Sequence, residues 1–253
     1  MNIICIGDVV GRSGVEMAAS QLRYLRQDYD ADFIIVNGEN AANGLGIDRY
    51  SADVLLDAGA DVITLGNHAF SKKAVFELFD EGYPIVRPIN GLEQRGVGYI
   101  IKECCGVKIA VCSVEGKVFM KNETDPFKAA RDFADSVEAE IKIVDFHAEA
   151  TSEKLAMGHY LSGIVTCVFG THTHVQTADE CILDGKTAYI TDVGMTGPYN
   201  SVLGVKTEIA VGNFINGTRE KYQTAEGNCR LDGIVISAGN DGIATKITRF
   251  SVK

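Results

Sequence analysis

The feature that most constrains the fold is a strand–loop–helix unit that recurs along the first part of the chain. Each unit begins with a short apolar run, continues through a polar or glycine-containing loop, and ends in an amphipathic stretch. Strands that alternate with helices predict a largely parallel sheet with helices packed on its faces. The predicted strand and helix pairs are residues 3–6 with 15–29, 33–36 with 50–58, and 62–65 with 72–79.

The later part of the chain continues this pattern and then departs from it. The dipeptides Asp184-Gly185, Asn216-Gly217 and Asp241-Gly242 lie near β-branched runs, as hairpin turns do, so the last third is expected to be richer in antiparallel strands. No low-complexity linker interrupts the sequence, and we therefore predict a single α/β domain over residues 1–253, built on two sheets. Further strands are predicted at residues 99–102, 108–114, 142–146, 164–169 and 188–191, and further helices at 126–139 and 152–161.

The charge balance excludes some classes of partner. The chain carries 34 acidic and 24 basic side chains, a formal net charge of −10. A duplex nucleic acid or a membrane surface requires clustered Lys and Arg, so we expect neither as a partner. A small anionic substrate remains compatible with this charge, because bound metal ions can reverse the field inside one pocket.

The cysteines indicate a reducing compartment. Their number, seven, is odd, and Cys5, Cys112 and Cys167 lie in apolar runs where they are expected to be small core residues. Free buried thiols are typical of intracellular proteins. The N-terminus shows no signal-peptide pattern, and no transmembrane run is visible. We therefore expect a cytoplasmic protein, and the sequence leaves a homo-oligomer open as its assembly.

Side chains that can hold metal ions follow directly after predicted strands. In a parallel α/β sheet these positions share the edge at the carboxyl ends of the strands, where ligands bind. Residues that are far apart along the chain can therefore converge on one pocket. The candidates are Asp8, Glu39, Asn40, Asn67, His68, His147, His172 and His174.

This donor set favours a pair of transition-metal ions. A single histidine is more often an ordinary hydrogen-bonding residue, but mixed carboxylate, amide and imidazole donors suit Mn, Fe, Zn, Ni or Co. The donors outnumber those of a closed zinc site, and the two oxygens of Glu39 suit it to bridge two ions. In an extended segment, His172 and His174 would point to the same side. Two neighbouring ions can clamp a phosphate and activate water near neutral pH.

Other phosphate-binding and catalytic motifs are absent. Gly7, Gly11 and Gly14 follow a strand, but their spacing does not fit the dinucleotide-binding fingerprint. The sequence contains neither a P-loop nor the G-x-S-x-G motif of a nucleophilic serine. Metal-assisted chemistry is therefore favoured over these alternatives.

The ordered motifs resemble those of a known family. They are Gly7-Asp8-Val9-Val10-Gly11, Asn37-Gly38-Glu39-Asn40, Gly66-Asn67-His68, Asp145-Phe146-His147, Gly170-Thr171-His172-Thr173-His174 and Asp192-Val193-Gly194. The chain resembles the bacterial YmdB-like metallophosphoesterases, a branch of the calcineurin-like phosphoesterases. The resemblance implies a four-layer α/β/β/α sandwich of two mixed sheets and activity as a 2',3'-cyclic-nucleotide 2'-phosphodiesterase, with a small phosphate ester as substrate.

The resemblance also implies residue roles. One metal would be held by Asp8, Glu39, Asn40 and His174, and the other by the bridging Glu39 with Asn67, His147 and His172. The ions would be iron or manganese. A hydroxide between them would attack phosphorus, and His68 would protonate the leaving oxygen. The chain departs from the wider superfamily, because Val10 and the pair Glu39-Asn40 replace its usual histidine and aspartates, and the identity of the first metal is therefore open.

Several supporting residues and rival functions stay open at this stage. Glu149, Thr151 and Asp192 could orient histidine ligands or serve only as loop caps, and Arg12, Arg87 and Lys154 could contact phosphate or lie on the surface. A 3',5'-cyclic nucleotide is a further candidate substrate. The rivals to a cyclic-nucleotide phosphodiesterase are a metal-dependent phosphatase or nucleotidase and a regulatory protein with a structural metal site.

Overall fold

The computed structural model describes residues 1–253, and its elements largely follow the predicted alternation. Helix α1 begins at Gly11, before the predicted start at residue 15, because its first turn is built from small and polar residues that carry no apolar periodicity. Helix α4 ends at Ser136, before the predicted end at residue 139, since Val137 is already extended. The helices are α1 (Gly11–Asp28), α2 (Arg49–Asp57), α3 (Ala74–Asp80), α4 (Pro126–Ser136), α5 (Thr151–Tyr160) and α6 (Thr207–Asn216).

Helix α6 corrects one sequence prediction. Asn216-Gly217 was expected to form a hairpin turn, but Gly217 ends α6 in the left-handed conformation, with φ 61°. An Asn-Gly pair suits both a hairpin turn and a helix C-terminus, because both need positive φ. The dipeptide alone therefore does not distinguish these two structures.

The strands form two mixed sheets. They are β1 (Asn2–Ile6), β2 (Asp8–Val9), β3 (Phe33–Asn37), β4 (Val62–Thr64), β5 (Ile85–Val86), β6 (Tyr99–Cys104), β7 (Val107–Glu115), β8 (Ile141–His147), β9 (Cys167–Thr171), β10 (Cys181–Leu183), β11 (Thr187–Ile190), β12 (Met195–Pro198), β13 (Cys229–Ala238) and β14 (Ala244–Val252). Sheet I has the order β2-β12-β13-β1-β3-β4-β5, with β14 also paired to β13, and sheet II has the order β10-β11-β9-β8-β7-β6.

Strand β9 starts later than predicted, at Cys167 rather than at residue 164. The residues before it lie in the turn that follows α5, where apolar side chains are buried without being part of a strand. The predicted antiparallel character of the last third is confirmed, since β13 pairs antiparallel with β1, β12 and β14. Asp184-Gly185 and Asp241-Gly242 lie between antiparallel strand pairs, as predicted.

Three apolar layers hold the sheets and helices together. Alternation along β1 shows how: Ile4 and Ile6 pack with α1, α2 and α3, whereas Ile3 and Cys5 face sheet II. The other face of sheet II packs against α4 and α5. The layers follow the order α/β/β/α, which confirms the predicted fold class.

No helix in the structure is both long enough and apolar enough to span a bilayer. The three cysteines expected in the core, Cys5, Cys112 and Cys167, are buried and unpaired. The single domain over residues 1–253 stays a prediction.

Candidate metal centre

A first group of donors lies where β2, the β3–α2 loop and the β9–β10 loop meet. The Asp8 carboxylate oxygen Oδ1 is 3.5 Å from Nε2 of His174, and both are close to the Asn40 amide, at 3.3 and 3.2 Å. The Asn40 nitrogen, rather than its oxygen, faces the other two groups. Its amide would have to turn over for Asn40 to bind a metal ion.

Asp8 and His174 stabilise each other as opposite charges. Burial alone would raise the pKa of Asp8, but the charge of His174 and a hydrogen bond to it lower that pKa below its usual range. Burial alone would lower the pKa of His174, and the charge of Asp8 raises it instead. His174 is held from behind by a 3.0 Å contact between Nδ1 and the carbonyl oxygen of Leu203.

A second group of donors lies where the ends of β4, β8 and β9 approach each other. Nε2 of His147 is 2.9 Å from Oδ1 of Asn67, 3.1 Å from Nδ1 of His172 and 3.6 Å from Oε1 of Glu39. Ligands bound to one ion at about 2.1 Å stand roughly 3.0–3.4 Å apart, so this spacing suits a common metal ion. A Cβ at Gly66 would overlap the His147 ring, so only glycine allows the ring this position.

Hydrogen bonds determine which nitrogen of His147 carries the proton. The hydroxyl of Thr171 donates to Oδ1 of Asp145 over 2.6 Å, and its oxygen lies 2.9 Å from Nδ1 of His147. Since Thr171 has already donated its single proton, it must accept from Nδ1. The lone pair of Nε2 is therefore free and directed at the second donor group.

Asp145 lies fully buried between the two sheets and anchors this arrangement. It accepts hydrogen bonds from Asn37, Thr64 and Thr171, which belong to β3, β4 and β9. Burial raises the pKa of Asp145 to about 7, while these hydrogen bonds favour the ionised form. Asn37 in turn accepts from the backbone N–H of Glu39, which links Asp145 to a second candidate ligand.

His172 is oriented in a similar way by a carboxylate. Nε2 of His172 lies 3.1 Å from Oε2 of Glu149, so this nitrogen donates to the carboxylate and Nδ1 stays unprotonated. Burial lowers the pKa of His172, although the charges of Asp8 and Glu149 act to raise it, and burial lowers the pKa of His147 strongly. Two imidazole lone pairs and one amide oxygen thus face each other with no proton between them.

This convergence of lone pairs fits a bound cation. Glu39 adds to it, because burial raises its pKa well above the usual range and only backbone N–H groups of Gly66 and His68 bind its oxygens. A buried carboxylate is costly unless it is paired or coordinates a metal. No three His, Cys, Asp or Glu side chains form a metal cluster by themselves, and an asparagine amide lies within each group.

The chain between His172 and His174 corrects the expected extended geometry. Both residues have positive φ, at 92° and 61°, so their side chains do not share one side of a strand. His172 joins the second donor group and His174 the first. Positive φ is unfavourable for non-glycine residues and persists where surrounding structure enforces it.

A buried ion pair enforces this conformation. The Lys154 ammonium lies 2.8 Å from Oδ2 of Asp192 and 3.1 Å from Oγ1 of Thr173. The same Asp192 oxygen accepts from the backbone N–H and the hydroxyl of Thr173. Lys154 therefore supports the histidine loop from inside the protein and cannot contact a phosphate.

His68 lies beside the second donor group and is loosely held. Its ring nitrogens are 3.5 Å from the Asn67 amide and 3.5 Å from the Ser71 hydroxyl. Burial, followed by the charge of His172, lowers the pKa of His68. The ring is partly exposed and is not engaged by a strong partner, so a substrate can reach it.

The sequence matches the family described as YmdB-like protein over residues 4–250. It is also 44% identical over 258 residues to the 2',3'-cyclic-nucleotide 2'-phosphodiesterase of Bacillus subtilis, and the match covers 100% of this chain and 97% of that relative. The chain belongs to the YmdB-like family. The resemblance predicted from the motifs is confirmed.

Solved structures agree with this membership. A phosphatase from Mycoplasma pneumoniae superposes on this YmdB-like protein with a TM-score of 0.94 at 33% identity, covering 100% of this chain and 93% of that one. A 5'-nucleotidase precursor from Thermus thermophilus shares the fold alone, with a TM-score of 0.61 at 10% identity, and covers 100% of this chain and 54% of that one.

Two supporting residues of this YmdB-like protein, Asp145 and Thr171, lie inside the sequence motifs, but the motifs assign them no role. Asp145 lies two positions before His147, and Thr171 lies one position before His172, in strands that end at the site. That placement was the available signal. Glu149 and Asp192 do contact the ligand loops, whereas Thr151 is exposed at the start of α5 and makes no such contact.

The two remaining candidate phosphate contacts lie elsewhere. Arg12 is exposed and pairs with Glu16 on the same helix. Arg87 is buried, and its guanidinium donates to the carbonyl oxygens of Pro88, Ile89 and Arg95. Arg87 therefore holds the loop after β5 in place.

Proposed function

We propose that this YmdB-like protein hydrolyses the 2',3'-cyclic phosphate of a nucleotide, with two transition-metal ions, iron or manganese, at the two donor groups. The observation that carries the proposal is the convergence of unprotonated imidazole nitrogens, an amide oxygen and buried carboxylates from both sheets. The free lone pairs of His147 and His172 and the oxygen of Asn67 face each other with no proton between them. The Bacillus subtilis relative, which is named for this reaction, supports the choice of substrate.

The enzyme class predicted from the sequence, a phosphoric diester hydrolase, is confirmed by the family membership and by this full-length relative. Whether a 3',5'-cyclic nucleotide is also a substrate belongs to the proposal. The name of the Mycoplasma pneumoniae structure keeps a phosphatase as the competing outcome of the experiment below.

The proposed ligands are Asp8, Asn40 and His174 for the first ion, and Asn67, His147 and His172 for the second. Glu39 is proposed to serve both, since its carboxylate has two oxygens. When bound, such ions neutralise charge on the phosphate oxygens and supply a hydroxide near neutral pH. Asp145, Thr171 and Glu149 keep the imidazole lone pairs turned towards the ions.

His68 is proposed to hold the proton that the leaving 2' oxygen receives. It neighbours Asn67 and is accessible from solvent. Its pKa is lowered in the free protein, and the negative charge of a bound phosphate diester favours the protonated imidazole. Cleavage of the bond to the 2' oxygen leaves the phosphate on the 3' oxygen of the product.

The experiment that tests the function combines metal analysis with a substrate panel. Protein purified without added metal is analysed for iron, manganese and zinc, and the same sample is assayed on 2',3'-cAMP, 3',5'-cAMP and a simple phosphomonoester. We expect two ions per chain and turnover of 2',3'-cAMP to 3'-AMP. Turnover of the monoester alone would replace the proposal with a phosphatase, and bound metal without any turnover would favour a structural site.

The role of His68 is tested by His68→Gln. We expect kcat on 2',3'-cAMP to fall by about 10²–10⁴-fold, as for loss of a general acid, while metal content is unchanged. His159→Gln is a matched control, because His159 is exposed on α5. Retained activity in His68→Gln would remove this residue from the mechanism.

A further inference from the structure

A cleft of about 300 Å³ opens beside the second donor group. It shares Asn67 with that group, is also lined by Gly66, and extends away from the group between two loops. One loop follows β5 and contributes Pro88 and Leu92, and the other follows β7 and contributes Lys121. An organic group attached to a phosphate at the metal centre could therefore enter this cleft directly.

The two loops are tied together, so the cleft is preformed. Asn90 donates to the carbonyl oxygen of Glu115 over 2.8 Å and accepts from the Glu115 backbone N–H over 2.9 Å. Its own carbonyl oxygen accepts from Thr124 over 2.7 Å. These bonds join the first loop to the end of β7 and to the second loop. A preformed site binds a ligand with less ordering cost.

One side of the cleft is apolar. The Phe70 ring is fixed by stacking on Phe76, with 5.7 Å between ring centroids, and Pro88 adds a rigid neighbour. Leu92 is 84% exposed, which leaves its side chain free to cover a ligand. A flat apolar ring can lie against such a surface.

The other side carries an unpaired carboxyl group. Glu115 lines the cleft, and no protein group makes a hydrogen bond to its side-chain oxygens, although its backbone is fully bonded to Asn90. Burial alone raises the pKa of Glu115 to about 7, because no charge or hydrogen bond offsets the loss of water. A ligand N–H group that donates to this carboxyl group supplies the hydrogen bond that its oxygens lack.

The position of Asn67 relates the cleft to the reaction. Its amide lies 3.5 Å from Nε2 of His68, the proposed proton donor, and Asn67 also lines the cleft together with Lys121. The cleft therefore begins beside the place where the leaving ribose oxygen would lie.

We infer that this cleft binds the base of a nucleotide, with the ring against Phe70 and Leu92 and a hydrogen bond between Glu115 and a base N–H group. The inference rests on the proposed function for the class of substrate. Glu115 and Leu92 then determine how strongly a nucleotide is preferred over a phosphate ester that has no base.

The test compares two ligands of the metal-loaded protein that differ only in the base. They are 3'-AMP and the 3-phosphate of methyl ribofuranoside, and their affinities are measured by calorimetry or NMR titration. The variants are Glu115→Gln and Leu92→Ala. The controls are Glu103→Gln, which lies on β6 opposite the other end of β7, and Ile215→Ala, an exposed apolar residue of α6.

We expect the wild-type protein to bind 3'-AMP at least about 10-fold more tightly than the base-free ligand, a typical contribution of base contacts. Each cleft variant should lower the affinity for 3'-AMP by about 5–10-fold and leave the base-free ligand within about twofold. Equal affinities in the wild type, or an equal loss for both ligands in the variants, would overturn the inference.

Turnover measured on the same samples separates the two proposals. A base preference without hydrolysis of 2',3'-cAMP would support the cleft and reject the proposed function. Hydrolysis of 2',3'-cAMP with no base preference would support the proposed function and reject the base-binding cleft. Both cleft variants keep the hydrogen bonds of Asn90, so thermal unfolding should match that of the wild type.

Discussion

The two donor groups of the candidate metal centre are oriented by different means. In the first, the His174 imidazole is positioned by a backbone carbonyl, that of Leu203, and by its charge interaction with Asp8. In the second, His147 and His172 are positioned by side chains, through Thr171 and Glu149. A backbone contact survives almost any side-chain substitution, whereas a side-chain contact can be removed by one.

This difference indicates where the centre is vulnerable. The second group depends on the hydrogen-bond chain from Asp145 through Thr171 to His147, which crosses between the sheets. The loop carrying His172 and His174 serves both groups, and Asp8 of the first group accepts from the backbone N–H of His172. Glu39 is the proposed shared ligand. Substitutions can therefore be chosen that affect both groups, the second alone, or neither.

The largest effect is expected for Glu39→Gln, which removes the proposed shared ligand. Activity on 2',3'-cAMP should fall by about 10³-fold or more, because metal-assisted charge stabilisation is worth several kcal/mol. Metal content measured by elemental analysis should fall at both positions. Glu138→Gln, at an exposed site, is the control. A variant that kept two ions and full activity would show that Glu39 is not a ligand.

Lys154→Met should disturb both groups through their common loop. It leaves the Asp192 carboxylate buried without its cation, and breaking such a pair costs about 3–5 kcal/mol. Denaturant unfolding should show this loss, and metal affinity should fall at both positions. Lys128→Met removes an exposed ion pair with Asp132 and should leave unfolding unchanged. Equal stability of the two variants would contradict the structural role of Lys154.

Thr171→Val should affect only the second group. The hydroxyl that fixes the proton on Nδ1 of His147 is lost, and removal of such a supporting partner lowers metal affinity by about 10–100-fold. Calorimetric metal titration measures the affinity, and ¹⁵N NMR of the metal-free protein reports the His147 tautomer. Thr171→Ser keeps the hydroxyl, so its metal affinity and its His147 tautomer should match those of the wild type. If serine and valine behave alike, the hydroxyl does not set the tautomer.

The smallest effect is expected for Leu203→Ala. The His174 contact is made by the backbone carbonyl, and the side chain is 46% exposed. The free energy of unfolding should stay within about 0.5 kcal/mol of the wild-type value, as for ordinary surface changes. Metal titration should show unchanged affinity at the first position. A clear loss there would mean that the Leu203 side chain, and not only its carbonyl oxygen, positions His174.

Much of the fold could be predicted because periodicity is local. The apolar runs and amphipathic stretches located eight of the fourteen strands and five of the six helices, since each pattern is short and local. Strands β10, β12, β13 and β14 were anticipated only through the general prediction of antiparallel strands in the last third. Helix α6 was missed because it exposes apolar residues such as Phe214 and Ile215 and so lacks a clear amphipathic pattern. Strands β2 and β5, of two residues each, are too short to produce one.

The sequence by itself determined the type and order of the elements and placed the candidate ligands at strand ends, because both follow from residues near in the chain. Only the tertiary structure decided how His172 and His174 divide between the donor groups, since their positive φ is imposed by contacts with Lys154 and Asp192. It also decided which His147 nitrogen is free, because Asp145 and Thr171 meet across paired strands.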